Sequence, residues 1–248
     1  MRRRDLMVIG GAMTVAIAIP PILRRLPSEF EFEPLADFPG FRRLAAGNVS
    51  GGVDPFFGLS ERLPDQAPLF KNELNNPCLA LFGAGGWADG TVPIAIFNDF
   101  NCPYCKVLET QLIERVDRDE SLILSWHDLP LLGPGSMLAA RTALAARFAE
   151  KEREAREYLW RHGTRPGAAA QARMAQALGL DMGWFRREME SQRVAQALAR
   201  SMALGARLGI PGTPGTVIGR TLVIGAIRPP DLNRLVELER EEGPLPCS

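Results

Sequence analysis

Short apolar runs punctuated by glycine and proline mark the chain from residue 77 onward, and helical spacings fill its middle. Cys78-Leu79-Ala80-Leu81-Phe82, closed by Gly83, reads as a short strand. Thr91 to Phe97 (TVPIAIF) is apolar at nearly every position, the pattern of a strand buried on both faces. A helical stretch follows from about Pro103 to Val116, and Leu122 to Trp126 reads as a third strand. Ser136 is an N-cap candidate for a helix running through Leu138, Leu144, Phe148 and Leu159 to His162-Gly163. Ala169 to Leu178 predicts a second helix, Asp181 caps a short third, and Val194, Leu198 and Met202 define a fourth ending near Leu208-Gly209. Thr216–Ile218 and Thr221–Ile224, split by Gly219-Arg220, predict a hairpin. Pro229-Pro230-Asp231 starts a final helix to about Glu241.

This order predicts an α/β fold: a mixed sheet covered by helices, interrupted by a helical subdomain inserted at about 136–205. Residues 27–76 hold many glycines and prolines and no long period. Alternation of Phe30, Phe32 and Leu35 with Glu31, Glu33 and Asp37 suggests one short strand there. That segment reads as a lead-in that packs on the main domain or tethers it. The sequence has no internal repeat.

Composition narrows the classes. With 248 residues, 46% of them hydrophobic, the chain can bury a core in one or two domains without disulfide staples. The 29 basic and 29 acidic residues cancel, so nothing calls for nucleic acid. Four cysteines are too few for a disulfide scaffold, and two histidines leave little for a His-rich metal site. Arg2, Arg3 and Arg4 precede an uncharged run from Leu6 to Leu23, with Arg24-Arg25 behind it. Residues 1–26 therefore read as an export signal or an N-terminal membrane anchor. Arg3-Arg4-Asp5-Leu6-Met7 fits a twin-arginine signal, an ordinary secretory signal being the alternative. Ala16-Ile17-Ala18 is a cleavage candidate. Either way the body of the protein is expected in the periplasm or another extracytoplasmic space, possession of an inner-membrane anchor staying open. Asn48-Val49-Ser50 is then an accidental glycosylation match.

The chemistry centres on Cys102-Pro103-Tyr104-Cys105. A C-x-x-C pair between a buried strand and a helix sits where free N–H groups and a partial positive charge stabilise a thiolate. Cys102 is expected exposed at the helix edge as the nucleophile. Cys105, one turn in and more buried, is the resolving thiol. Pro103 suits the first helical turn, and Tyr104 adds bulk that tunes the thiolate. A structural disulfide and half a metal site are the competing readings; zinc would normally bring a second Cys or His pair. Cys78 and Cys247 either pair with one another, or Cys78 is a small buried apolar residue. His127 reads as structural, His162 as a helix C-terminal residue, and Glu150 to Arg161 as a solvated helix face. Phe56-Phe57 reads as an anchor onto the core.

Three segments carry a family resemblance. Phe97-Asn98-Asp99-Phe100-Asn101-Cys102-Pro103-Tyr104-Cys105-Lys106 resembles the active-site segment of the DsbA-like thioredoxin-fold oxidoreductases. Gly209-Ile210-Pro211-Gly212-Thr213-Pro214-Gly215-Thr216-Val217-Ile218-Gly219 is similar to that family's cis-proline loop. Leu129 to Ser136, followed by Ala139-Ala140, resembles the entry to its helical insertion. The resemblance covers about residues 77–245. It implies a thioredoxin-like mixed sheet with helices on both faces, and a thiol–disulfide oxidoreductase. It further implies a cis Thr213–Pro214 bond against Cys102, with both residues binding substrate. No cofactor beyond the protein's own disulfide is implied. The implied partners are exported proteins with cysteines and a membrane oxidase or reductase that resets the pair. The chain departs from the family at two positions: Ile96 stands where many members place a buried acid, and Tyr104 stands where strong oxidants have histidine. Asp99 could accept a proton, although a turn or cap role is the simpler reading. Oxidase, isomerase and reductase directions stay open. The alternatives are a thiol-based Cu(I) carrier using the same two cysteines and a dedicated assembly factor keeping client cysteines reduced.

Overall fold

The computed structural model describes residues 30–45, 76–83, 86–163 and 167–245. The leader, Asn48, Phe56-Phe57 and Cys247 lie outside these residues. The apolar Thr91–Phe97 run forms β3 (Val92–Asn98), buried at all seven positions. It is flanked on both sides: β4 (Leu122–Asp128) runs parallel to it, and β5 (Gly215–Ile218) antiparallel. β5 turns through Gly219-Arg220 into β6 (Thr221–Ile224), completing the expected hairpin.

Part of the lead-in belongs to the sheet. β1 (Glu33–Pro34) and β2 (Arg42–Ala45) extend it beyond β6, giving the order β1-β2-β6-β5-β3-β4. These strands are too short to show a period, and buried Glu239 helps fix them: it accepts from Arg42 Nη2 at 2.7 Å and from Thr221 Oγ1 at 2.5 Å. The described residues from Phe32 onward belong to one compact unit.

One expected strand is a helix. Cys78–Phe82 lies in α1 (Pro77–Phe82), where the Asn76 side chain accepts from Leu79 N–H at 2.9 Å and Pro77 occupies the first turn. A five-residue apolar run fits either period. Both edges of β3 are already taken, so this run packs on the sheet face instead. Cys78 and Leu81 meet Ala95, Phe97, Val217 and Leu222 there, with Leu204 and Leu208 of a later helix. Ile94 and Ile96 point the other way, where α2 (Pro103–Val116) and α8 (Pro229–Glu242) contact the sheet. The mixed sheet is thus covered on both faces.

Five helices intervene between β4 and β5: α3 (Pro134–Arg147), α4 (Glu152–His162), α5 (Ala168–Leu178), α6 (Met182–Met189) and α7 (Gln192–Arg207). Their own core gathers Ala143, Leu144, Phe185, Val194 and Leu198. The single helix expected from Ser136 to His162 is two, broken at Ala149-Glu150 with Glu150 left-handed (φ 58). The expected solvated face of the second piece is also corrected. Arg156 turns inward and is fully buried, because four polar partners wait there. Among the described residues no helix is long and apolar enough to cross a membrane.

Candidate functional site

Cys102 stands where β3 has ended and α2 begins. The intervening turn is built by Asp99. Its carboxylate accepts from Asn101 N–H (2.8 Å), Leu132 N–H (2.8 Å) and Ser136 Oγ–H (2.6 Å), and its carbonyl accepts from Cys102 N–H (3.0 Å). Asp99 is therefore a buried loop clamp with both carboxylate oxygens hydrogen-bonded, which is the turn role foreseen for it. Ser136 is not the N-cap expected; α3 starts at Pro134, and the serine hydroxyl joins Asp99 and Asn101 (Nδ2–Oγ 2.9 Å) instead.

Cys102 is itself the N-cap of α2, with extended backbone (φ −87, ψ 116). Its Sγ accepts from Cys105 N–H at 3.3 Å, one of the free N–H groups of the first turn. Pro103 follows at the position where a missing N–H leaves nothing unsatisfied. Cys102 and Cys105 are both in the thiol form. Burial pushes the Cys105 thiol far above its ordinary range, and the hydrogen bond and charge of Cys102 push the same way.

The proline loop closes over the pair. Thr213–Pro214 is cis, and the Thr213 carbonyl lies 3.4 Å from Cys102 Sγ. The structure thus unites Cys102, Pro103, Tyr104, Cys105, Thr213 and Pro214. One expectation is corrected: Cys102 is not exposed but only 1% accessible, and Thr213 at its sulfur is buried with it. The accessible surface beside it comes from Pro103, Tyr104 and Val107. Ile96 is wholly buried in β3 and contributes no acid.

Beside this centre lies a buried ionic cluster that no motif in the sequence announces. Arg156 donates from Nε to Glu109 Oε1 (2.8 Å) and from Nη2 to Asn98 Oδ1 (2.7 Å) and Asp128 Oδ1 (2.9 Å). Burial raises the Asp128 carboxyl above its usual range, with Arg156 opposing. Its legible trace is slight: Arg156 adjoins Ala155 and precedes Leu159 by three positions, on the inward stripe of α4.

His127 is structural, as read. It stacks on Phe97 (centroids 4.7 Å), and its Nε2–H donates to the Leu81 carbonyl at 2.9 Å. Burial pushes its imidazole down to about 4. Cys78 is disulfide-bonded; Cys247, the partner considered for it, is outside the described residues. Among the described residues no group of three or more His, Cys, Asp or Glu side chains is placed to hold a metal ion.

Residues 93–237, over half of the chain, match the family model of the DSBA-like thioredoxin domain. A thioredoxin-like oxidoreductase from Silicibacter pomeroyi DSS-3 is similar in structure, with TM-score 0.56 and 33% identity, covering 66% of this chain and 97% of that one. A periplasmic thioredoxin-like protein from Salmonella enterica serovar Typhimurium matches with TM-score 0.54 and 25% identity, over 66% of this chain and 95% of that one. Among curated proteins, the chain is 29% identical over 131 residues to Na(+)/H(+) antiporter NhaA 3 of Salinispora tropica. That match takes in 52% of this chain, which spans only 20% of the antiporter's length.

Proposed function

The chain belongs to the DSBA-like thioredoxin domain family, with the thiol–disulfide oxidoreductase activity that family implies, and from this we propose that Cys102 and Cys105 are its redox centre. The observation that carries the reading is the seat of Cys102 Sγ, between the Cys105 N–H at 3.3 Å and the Thr213 carbonyl at 3.4 Å. The Cys102 thiol donates to that carbonyl; once ionised, the sulfur gives up this bond and is held by the Cys105 N–H and the positive end of α2. Cys105 has burial and the neighbouring sulfur against its ionisation, so Cys102 ionises first.

In the reducing direction, the Cys102 thiolate attacks one sulfur of a client disulfide. The Cys102–client bond forms, the client's S–S bond breaks, and its second sulfur leaves as a thiolate that takes a proton. Cys102 is then neutral, which removes its charge from Cys105. Cys105 loses its proton and attacks Cys102 Sγ, releasing the other client thiol. The client gains two electrons and the pair becomes a disulfide; oxidation of a client dithiol is the same path reversed.

Thr213 and Pro214 are proposed to seat the client backbone beside Cys102. Pro214 has no N–H, and its carbonyl is occupied by Gly225 N–H at 2.9 Å; Thr213, wholly buried with its carbonyl against Cys102 Sγ, has to be uncovered before an extended peptide pairs with it. Tyr104 and Val107, exposed and one turn apart on α2, offer apolar contact to that client. The burial of Cys102 has to be relieved when a client sulfur enters. An extracytoplasmic site of action is supported by the basic, apolar leader and by the periplasmic relative. Clients are then exported proteins with cysteines, and a membrane oxidase or reductase resets the pair. The equilibrium with glutathione decides the direction: about −120 mV marks a strong oxidant and about −270 mV a thioredoxin-like reductase.

Cys102→Ser is expected to abolish insulin reduction and the refolding of scrambled disulfides by the full chain. Full activity of that variant, or stoichiometric Cu(I) binding by a wild-type protein that exchanges no disulfide, overturns the proposal.

A further inference from the structure

We propose that Arg156 is a positioning residue for the redox centre, holding the turn ahead of Cys102 and the helix behind Cys105 in one grip from the inserted subdomain. The inference rests on Cys102–Cys105 being that centre. Arg156 reaches both sides of the pair. Ahead of it, Nη2 donates at 2.7 Å to Asn98, the last residue of β3, and the guanidinium carbon lies 4.9 Å from the ring centre of Phe100. Behind it, Nε donates at 2.8 Å to Glu109, four residues beyond Cys105 on α2. Asn98 Nδ2 closes the triangle by donating to Glu109 Oε2 at 2.6 Å. Asp128 at the end of β4 and Glu152 on α4 complete the cluster, Glu152 being paired in turn with Arg147 of α3.

Such a cluster is a poor device for stability alone. Burying a guanidinium with carboxylates carries a large desolvation penalty, and apolar residues of similar volume often hold a core as well or better. What the ions add is direction. The guanidinium is planar, with five N–H donors in a fixed fork, so each partner is held at a set angle as well as a set distance. Apolar contacts leave a helix freer to slide. Cys102 Sγ has one partner on α2 and one on the proline loop. A small displacement of the α2 N-terminus weakens the Cys105 N–H contact, and with it the support for a thiolate.

Two variants of the full chain test this. R156K keeps the charge and removes the fork. E109Q keeps the volume and the Asn98 contact but removes the α2 half of the ion pair. Each is read by the pH midpoint of Cys102 alkylation and by equilibrium with glutathione. Both variants are expected to raise the midpoint and to shift the equilibrium about tenfold toward the disulfide, about 30 mV more reducing. Loss of a negative charge acting only through space would lower the midpoint in E109Q. A lowered midpoint in E109Q, or wild-type values of both readouts in folded variants, overturns the inference. E239Q, which breaks the buried pair with Arg42 toward the opposite edge of the sheet, is the control for mere destabilisation. It is expected to unfold more easily with both readouts unchanged; an equal shift there also overturns the inference. If R156K does not fold, E109Q and F100L carry the test, the latter removing the ring beside the guanidinium. A wild-type pair that exchanges nothing with glutathione defeats the proposed function instead, which keeps the two failures apart.

Discussion

Asp99 lies three residues before Cys102, close enough in sequence to suggest a proton acceptor. Its carboxylate is instead spent on three donors, two of them from Leu132 and Ser136 on the segment entering α3. Asp99→Ala would leave those donors unpaired beneath the active-site turn. Hydrogen bonds to a charged group contribute about 1.5–3 kcal/mol each, but water and relaxation recover part of that. A net loss of about 3 kcal/mol is expected, read from the urea midpoint of the reduced protein. The turn role of Asp99 was legible because its local partner, Asn101, is two residues away. Ser136 and Leu132 were not, since they arrive from more than thirty residues downstream. The burial of Cys102 escaped for the same reason: Thr213, buried against its sulfur, lies 111 residues further along the chain.

At the scale of elements, periodicity succeeded where it extended over enough residues. β3, α2, the β5–β6 hairpin and α8 begin and end within about two residues of their expected limits. The apolar run at Cys78–Phe82 was too short to choose between strand and helix, and the occupied edges of β3 chose helix. The break between α3 and α4 carries neither proline nor glycine, so nothing local announces it. The hairpin turn is more demanding. Gly219 has φ +54, and an added Cβ would meet the Trp87 ring at 2.8 Å as well as the Glu239 carboxylate. Gly219→Ala combines a left-handed backbone with a collision against buried groups. It is expected to destabilise the protein by about 2 kcal/mol or more, measured by thermal unfolding; a wild-type midpoint would contradict this packing.

The whole molecule adds a dependence on acidity. His127 is buried between the sheet and α1 and titrates at about 4, against about 6.5 in an unfolded chain. Between those values the unfolded state binds the extra proton, so stability falls as pH drops from about 6.5 toward 4. The shift corresponds to about 3 kcal/mol at most. His127→Gln keeps an N–H donor for the Leu81 carbonyl and should flatten that decline, seen as a smaller difference between urea midpoints at neutral and mildly acid pH. An undiminished slope in the variant would assign the decline to other groups. By itself the sequence determined the α/β class, the place of the helical insertion and the Cys102–Cys105 pair at a strand-to-helix junction. Those features are written in local period and spacing, which survive without knowledge of distant contacts. Only the tertiary structure decided that β1 and β2 join the sheet, that Thr213 lies against Cys102, and that Arg156 turns inward. Each of these depends on a partner far along the chain, and a charged residue on a helix reads as solvated until the fold supplies the carboxylates and amide that make its burial tolerable.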